Sequence, residues 1–223
     1  MNKSLPLHFF FALILSCFYS HSFAEPSNLS LLKKEIRQYH DSGEYERELT
    51  ATINQAEQFL LAQVQALRAH NPHKKLALVL DIDETSISNY DKMVLRDFAG
   101  TPEQIHQEIL KGGSPAIQAT FNLYQLALTH HVDVFFVTGR IPSELEATKE
   151  NLITAGYQHW AGIYVRPEQY PHDTIIKFKA QCRADIERQG YVIIESIGDQ
   201  HSDLEGGHAL KGFKLPNPYY YIH

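Results

Sequence analysis

Short apolar runs alternate with amphipathic segments along the C-terminal two thirds of the chain. Runs of aliphatic and aromatic residues this short, with little polar alternation, predict strands buried on both faces of a parallel sheet. The longer segments between them predict helices that cover the sheet. The predicted strands are residues 76–80, 132–137, 162–165 and 191–197, and the helices between the later strands are residues 143–155, closed by Gly156, and 174–189, closed by Gly190.

Two further helices are predicted before the first strand. Residues 28–40 are amphipathic, and the next segment carries apolar residues at steps of three and four until Asn71 and Pro72 end it. We therefore predict an N-terminal helical extension whose apolar face packs against the rest of the molecule. That face consists of Tyr45, Leu49, Ile53, Ala56, Leu60, Val64 and Leu67.

Residues 86–131, between the first two strands, do not show a strand pattern. Thr101-Pro102-Glu103-Gln104 is typical of a capping box with proline at the first helical position. A second helix is predicted to start at Ser114-Pro115 and to continue through Leu128. We interpret this segment as a small helical cap-like insert that takes part in substrate selection.

The pattern as a whole predicts one α/β domain over residues 25–223. Its expected architecture is a three-layer Rossmann-like fold with a central parallel sheet and right-handed crossovers. Ligands bind such sheets beyond the carboxyl ends of the strands, and three of the predicted strands end in polar clusters there. The clusters are Asp81-Ile82-Asp83-Glu84-Thr85, Thr138-Gly139-Arg140, and Gly198-Asp199 followed by Asp203.

The acids in these clusters predict a metal site. Carboxylates beside a core are costly unless a cation compensates them, and Mg²⁺ prefers oxygen ligands. A calcium-binding loop counted from Asp81 fails, because position six is Ser86 and position twelve is Lys92. A hydroxyl, backbone N–H groups and a lysine, either Lys177 or Lys179, add donors for a tetrahedral anion, so the set suits phosphoryl transfer.

The N-terminus and the charge indicate where the protein works. Lys3, an apolar run and small residues before Ala24 are typical of a signal peptide over residues 1–24, cleaved after Ala24, which predicts a secreted or periplasmic protein. A lipid anchor at Cys17 is the alternative, and no membrane span is expected. Without Lys3 the mature chain has 19 basic and 26 acidic residues, a charge of −7 that does not favour nucleic-acid polymers. The oligomeric state is left open, a homodimer included.

The three clusters and the helix lysine that precedes the last of them resemble, in this order, the four motifs of the haloacid dehalogenase (HAD) superfamily of phosphatases. Further segments resemble its secreted acid phosphatases, the branch with plant vegetative-storage-type and bacterial class B and C enzymes. The resemblance covers most of residues 76–223. Those segments are Asn151-Leu152 with Ala155-Gly156-Tyr157, Phe178-Lys179 with Arg183, Gly198-Asp199-Gln200-His201-Ser202-Asp203-Leu204, and Phe213-Lys214-Leu215-Pro216-Asn217-Pro218-Tyr219-Tyr220.

The resemblance implies a role for each residue that matches a family motif. Asp81 would be the nucleophile that forms an aspartyl-phosphate, and Asp83 the general acid and base. Thr138 and Lys179 would bind the phosphoryl group, with Lys179 favoured over Lys177 by the Phe-Lys-x-x-x-Arg match. Gly139 and Arg140 would also bind the substrate, and the alternative for Arg140 is an ion pair with a surface acid. The resemblance also implies that Mg²⁺ is held by the Asp81 carboxylate, the Asp83 carbonyl and Asp199, with Asp203 in support.

Three further expectations concern the chemistry of the site. A neighbouring anion should raise the pKa of Asp83 and keep it protonated for the leaving group. Tyr90 should stack on an aromatic leaving group or a nucleobase, so nucleotides join the phosphomonoesters expected as substrates. The alternatives to a hydrolase are a phosphotransferase and a storage or binding protein of the same fold, although Asp81 is present.

Overall fold

The computed structural model of the chain describes residues 26–171 and 174–222. Five parallel strands form one sheet in the order β3-β2-β1-β4-β5. The strands are β1 (Leu76–Leu80), β2 (Asp133–Thr138), β3 (Gly162–Val165), β4 (Val192–Gly198) and β5 (Lys211–Lys214). The helices are α1 (Leu29–Asp41), α2 (Glu44–His70), α3 (Tyr90–Leu95), α4 (Pro102–Lys111), α5 (Gln118–Thr129), α6 (Leu145–Thr154) and α7 (Ile176–Arg188).

Helices cover both faces of the sheet, which confirms the predicted three-layer α/β fold. Every residue of β1 is buried, and its side chains alternate between two apolar cores. Leu76, Leu78 and Leu80 join the larger core, which also holds buried residues of α2 and α5. Ala77 and Val79 face the other side, where α7 closes a smaller core.

The N-terminal extension is present as predicted. Asn28 caps α1 by accepting a hydrogen bond from the Ser30 amide at 3.0 Å. Six of the seven apolar positions predicted for the inner face of α2 are buried, and the seventh, Leu67, packs against the same core. Lys33 and Arg37 of α1 pair with Asp97 at 2.6 and 2.9 Å, so the extension is also attached to the segment between β1 and β2.

Three helices, α3, α4 and α5, lie in the segment 86–131 that was predicted as the insert. The first of them, α3, was not indicated by the sequence pattern. The last helix, α5, starts at Gln118 rather than Ser114, because residues 114–117 are extended and make a backbone bridge between Ala116 and Ile87. This helix buries Leu123 and Ala127 against α2, so it belongs to the core layer. Only α3 and α4 remain as a cap over the strand ends.

The fifth strand, β5, was not predicted. It has only four residues, of which Lys211 and Gly212 are exposed, so it lacks the apolar run that marks the other strands. It pairs in parallel with β4 at the edge of the sheet. Within residues 26–171 and 174–222, none of the helices has the length and apolar character that crossing a bilayer requires.

Candidate active site

The turn after β1 places two acids at the carboxyl edge of the sheet. The amide of Asp81 donates to the Ile197 carbonyl at 3.0 Å, which continues the pairing with β4. The chain then turns sharply, with the amides of Ser86 and Ile87 donating to the Ile82 carbonyl at 2.9 and 3.0 Å. Ser86 Oγ also donates to the Asp81 carbonyl at 2.6 Å, and these bonds fix where the acids lie.

Three buried carboxylates meet beside one lysine. Oxygens of Asp81, Asp199 and Asp203 lie within 4.8 Å of one another. Lys179 Nζ is 2.7 Å from Asp81 Oδ1 and also contacts Asp203 Oδ1. Lys177 is exposed on the same helix. Of the two candidate lysines, the structure therefore brings Lys179 to the acids.

Hydrogen bonds fix the orientation of Asp199. Thr85 Oγ1 donates to its Oδ1 at 3.1 Å, and the side-chain amides of Gln200 and Asn217 both donate to its Oδ2 at 2.6 Å. Asp203 Oδ2 accepts from the Gln200 amide at 2.9 Å. Gly198 is required beside them, because a Cβ at this position would overlap the Asp203 carboxylate.

The charge of this cluster fits a divalent cation. Three carboxylates face one ammonium group, which leaves an excess of two negative charges among oxygen ligands only. Burial raises the pKa of Asp81 well above its usual value, and Asp203 and Asp199 raise it further, while Lys179 opposes the shift. Burial and Asp203 raise the pKa of Asp199 as well. A bound divalent cation would offset this repulsion.

Asp83 has a different environment from the one predicted. Arg140 donates to it twice, from Nε to Oδ2 at 3.0 Å and from Nη2 to Oδ1 at 2.6 Å, and Asn89 Nδ2 donates to Oδ1 at 2.7 Å. Burial raises the pKa of Asp83, but the charge and hydrogen bonds of Arg140 outweigh it, so the pKa is lowered. The expectation of a raised pKa was wrong, because a cation rather than an anion is the closest partner of this carboxylate.

The Arg140 guanidinium therefore already has partners. It is paired with Asp83, and its Nη1 donates to Thr148 Oγ1 at 3.0 Å. Thr138 is buried at the end of β2, where its Oγ1 accepts from the Arg140 amide at 3.1 Å. Gly139 follows and lines the cavity. The β2 cluster therefore offers one hydroxyl and backbone groups beside the acids, while its guanidinium is already paired.

Tyr90 lies away from the position that stacking on a substrate requires. Its ring is 3.3 Å from that of His40, nearly parallel to it, and its hydroxyl donates to Asp41 Oδ1 at 3.0 Å. The side chain is buried between α1, α3 and Tyr219, and it does not line the cavity above the acids. The stacking prediction for Tyr90 was wrong, because α1 occupies the face of the ring.

The cavity above the acids has a volume of about 1240 Å³. Its floor is formed by the strand ends, with Asp81, Asp83 and Lys179, and α3 and α4 line one side. This volume is ample for a substrate of ordinary metabolite size. Phe98 of the cap segment and Tyr220 near the C-terminus line it, so aromatic surface is available although Tyr90 is not.

Glu84 is a residue of the site that the sequence analysis did not single out. It is buried, adopts a φ of 52°, and accepts from the Asn89 amide at 2.6 Å and from Tyr220 Oη at 2.8 Å. Burial, followed by Asp83 and Asp199, raises its pKa to about 8. Its position next to Asp83 was a signal, but its partner Tyr220 lies too far along the chain to be inferred from local pattern.

A parallel sheet that carries an acid cluster, a lysine and a hydroxyl at its carboxyl edge defines a phosphohydrolase type of α/β protein. Residues 15–223 match the family model described as "HAD superfamily, subfamily IIIB (Acid phosphatase)". The chain belongs to this acid phosphatase family, whose members are phosphomonoester hydrolases.

Curated relatives and solved structures agree with this family. The stem 28 kDa glycoprotein of Glycine max is 33% identical over 186 residues, covering 81% of this chain and 71% of the relative. Acid phosphatase 1 of Solanum lycopersicum is 33% identical over 153 residues, or 65% and 58% of the two chains. The class C acid phosphatase from Bacillus anthracis shares the fold, with a TM-score of 0.64, 22% identity and 86% coverage of both chains.

Proposed function

We propose that this protein hydrolyses phosphomonoesters in two steps through an aspartyl-phosphate on Asp81. The observation that carries the proposal is the position of Asp81, at the end of the central strand, on the cavity floor and 2.7 Å from Lys179 Nζ. A carboxylate held this way has one oxygen fixed by a cation, which orients the other for attack on phosphorus.

Three groups beside Asp81 are suited to hold the phosphoryl oxygens. The Thr138 hydroxyl has a proton to donate, since its oxygen already accepts from the Arg140 amide. The Gly139 amide lies next to it at the end of β2, and Lys179 supplies positive charge. Donors fixed before the substrate binds stabilise charge in the transition state without having to reorganise.

Asp83 is assigned the proton transfers. When a bond forms between Asp81 and phosphorus, the bond to the leaving oxygen breaks, and that oxygen takes a proton from Asp83, which must first bind that proton from the solvent because Arg140 lowers its pKa. Asp83 then removes a proton from the water that attacks the phosphoryl group, which frees Asp81 and releases phosphate. The Arg140 ion pair favours the ionised form needed for this second step.

We assign Mg²⁺ as the cofactor, held by the Asp81 carboxylate, the Asp83 carbonyl and Asp199, with Asp203 in support. When bound, it supplies positive charge that offsets the acids and the phosphate. The assignment is tested without turnover by thermal unfolding in a magnesium titration. At 100 times the dissociation constant, binding should stabilise the wild type by about 2.7 kcal/mol.

Asp199→Asn should abolish most of that stabilisation, because it removes a charge from the ligand set. Asp133→Asn, an exposed position at the opposite end of β2, is the matched control and should respond like the wild type. An equal magnesium response in Asp199→Asn and the wild type would show that the cation binds elsewhere.

The function is tested by phosphate release from a panel of phosphomonoesters that includes nucleotides, alkyl phosphates and p-nitrophenyl phosphate. Phosphorylated acceptor, measured in the presence of an alcohol, would indicate a phosphotransferase. Beryllium fluoride should inhibit by mimicking the phosphoryl group on Asp81. A complete lack of turnover would favour a storage role, which the name of another relative, vegetative storage protein 1 of Arabidopsis thaliana (27% identical over 148 residues), raises as an alternative.

We also propose that residues 1–24 are removed as a signal peptide and that the mature protein is secreted or periplasmic. This segment lies outside the described residues, so the proposal rests on its sequence alone. N-terminal sequencing of the protein isolated from its producing cell should give Glu25. A lipid-modified N-terminus at Cys17 would show that the alternative is correct.

A further inference from the structure

Three arginines line the cavity, and they differ in their partners. Arg96 Nε pairs with Glu108 at 3.1 Å, and Arg140 pairs with Asp83 at 2.6 Å. Arg166 makes no ion pair with any carboxylate of residues 26–171 and 174–222. It is therefore the one of the three whose charge is not already matched by an acid.

Arg166 is held in a fixed position although it has no acid partner. It follows β3 directly, its amide donates to the Arg140 carbonyl at 2.8 Å, and its Nε donates to the Gly139 carbonyl at 3.2 Å. Its Nη1 and Nη2 have no hydrogen-bond partner in the described part of the chain. The nearby acid Glu168 accepts from Ser143 Oγ at 3.0 Å instead.

The position of Arg166 separates it from the reacting phosphoryl group. In the sheet, β3 lies two strands away from β1, and neighbouring strands are about 4.8 Å apart. The Gly139 carbonyl that holds the guanidinium belongs to the end of β2, between the two. A group bound by the free nitrogens of Arg166 therefore lies on the β3 side of a phosphoryl group on Asp81, at a distance of about one strand spacing.

We propose that Arg166 determines substrate specificity by binding a second anionic group on the leaving group of the phosphomonoester. A partly buried guanidinium with two free nitrogens presents a planar fork that matches a carboxylate or a phosphate. The preferred substrates would then carry such a group a few bonds from the ester oxygen. This inference rests on the proposed phosphomonoesterase function.

The test uses three substrates built on the same three-carbon chain. One is 3-hydroxypropyl phosphate, whose far end is neutral; the second is 3-phosphonooxypropanoate, which ends in a carboxylate; the third is propane-1,3-diyl bisphosphate. The wild type should show a higher kcat/KM for one or both anionic members, and which of them gains more distinguishes a carboxylate from a phosphate as the preferred group. Arg166→Gln should lower that preference about tenfold, the strength of a charge-assisted hydrogen bond.

Two further variants control for charge and geometry. Arg166→Lys keeps the charge and loses the fork, so it should retain part of the preference. Lys177→Gln removes a charge from an exposed position on α7 and should leave all three values as in the wild type. Calorimetric binding of the same compounds to Asp81→Asn and to the double variant Asp81→Asn/Arg166→Gln repeats the comparison without turnover.

Two results would overturn the inference while leaving the proposed function intact. One is a wild type that hydrolyses all three substrates equally well. The other is an Arg166→Gln variant that loses the same factor on each, which would place Arg166 at the reacting phosphoryl group. If the wild type released no phosphate from any of the three or from p-nitrophenyl phosphate, the proposed function itself would be wrong.

Discussion

Two regions of the central sheet each bury a carboxylate, and the two carboxylates differ in their hydrogen-bond and charge partners. Asp81, at the carboxyl end of β1, is 6% exposed and has Lys179 Nζ at 2.7 Å. Glu195, in the middle of β4, is fully buried, and neither of its oxygens has a hydrogen-bond partner within residues 26–171 and 174–222. Burial raises the pKa of Glu195 to about 9, with partial opposition from Lys211.

The comparison shows that burial alone does not make a carboxylate reactive. Lys211 is opposite Glu195 in register on β5, but it is exposed and its Nζ lies 4.5 Å from the centre of the Phe213 ring. Glu195 thus stays neutral in the folded protein over most of the physiological pH range. The edge of the sheet offers Asp81 a buried lysine, neighbouring acids that can hold a cation, and an open cavity.

The largest expected effect is that of Asp81→Asn on catalysis. The amide keeps the shape and an oxygen for Lys179 but cannot attack phosphorus, so kcat should fall on the order of 10⁴-fold or more. Thermal unfolding of the variant checks that it folds, and its phosphate affinity should be largely intact. Appreciable hydrolysis by Asp81→Asn would mean that a water molecule, rather than Asp81, is the nucleophile.

Asp83→Asn should have an effect that depends on the leaving group. Alkyl phosphates need a proton on the departing oxygen, so their kcat should fall by about 10² to 10⁴. p-Nitrophenol leaves without protonation, so the first step with p-nitrophenyl phosphate should be much less affected. Burst kinetics with both substrates separate the two steps, and an equal loss of the first-step rate for each would contradict the assignment of Asp83.

Glu195→Gln sharpens the comparison through stability. The unfolded glutamate titrates near pH 4.5 and the folded one near 9, so the folded state holds a proton that the unfolded state releases between these values. The free energy of unfolding should therefore fall as pH rises across this range. At pH 7 the variant should be more stable than the wild type by about 3 kcal/mol.

Denaturant unfolding at pH 5 and pH 8 measures this difference, with Glu35→Gln, an exposed position on α1, as the control. The stability of the wild type should drop between the two pH values by more than that of Glu195→Gln. Parallel pH dependences in the two proteins would show that Glu195 does not hold a proton in the folded state.

The sequence predicted the strand ends well and the environment of the acids poorly. Asp81 and Asp199 were identifiable because each follows a strand pattern that fixes its element. The local pattern left Lys177 and Lys179 both open, and only the family resemblance favoured Lys179. Tyr90 was misassigned because its partners His40 and Asp41 lie about 50 residues earlier, on a separate helix. No local pattern indicates that such a helix covers one face of the ring.

The same reason explains the other errors. The pKa of Asp83 depends on Arg140, which is 57 residues away and which the sequence placed at the same edge without assigning the pair. The role of α5 depends on α2, against which it packs. The pKa of Asp83 and the role of α5 both depend on tertiary contacts. The hydrophobic pattern predicts the layer or the sheet edge where a residue lies, but not which residues it contacts there.

The smallest expected effect concerns a partly buried pair, His106 and Glu144, that links the cap to the edge of the sheet. His106 of α4 lies with Nδ1 2.8 Å from Glu144 Oε1, and Glu144 Oε2 accepts from the Ile141 amide at 2.9 Å, one residue after Arg140. The hydrogen bond that His106 donates to Glu144 raises the pKa of His106, and the charges of Glu144, Glu103 and Glu168 act in the same direction.

Because the folded pKa of His106 is raised above 6.5, the contribution of the pair is fully present below pH 6.5 and is lost as pH rises through the folded pKa. Hydrogen exchange of the α4 amides should therefore accelerate between pH 5.5 and 8 by about two- to fivefold beyond the intrinsic pH dependence, the range expected for an ion pair whose histidine is accessible to solvent. His106→Gln, which keeps a hydrogen-bond donor without the titrating charge, should remove that excess. The amides of α7, a helix that packs against β2 and β4, serve as the internal reference. An unchanged excess in His106→Gln would mean that the cap is attached to the sheet by its apolar contacts and that its docking does not depend on this histidine.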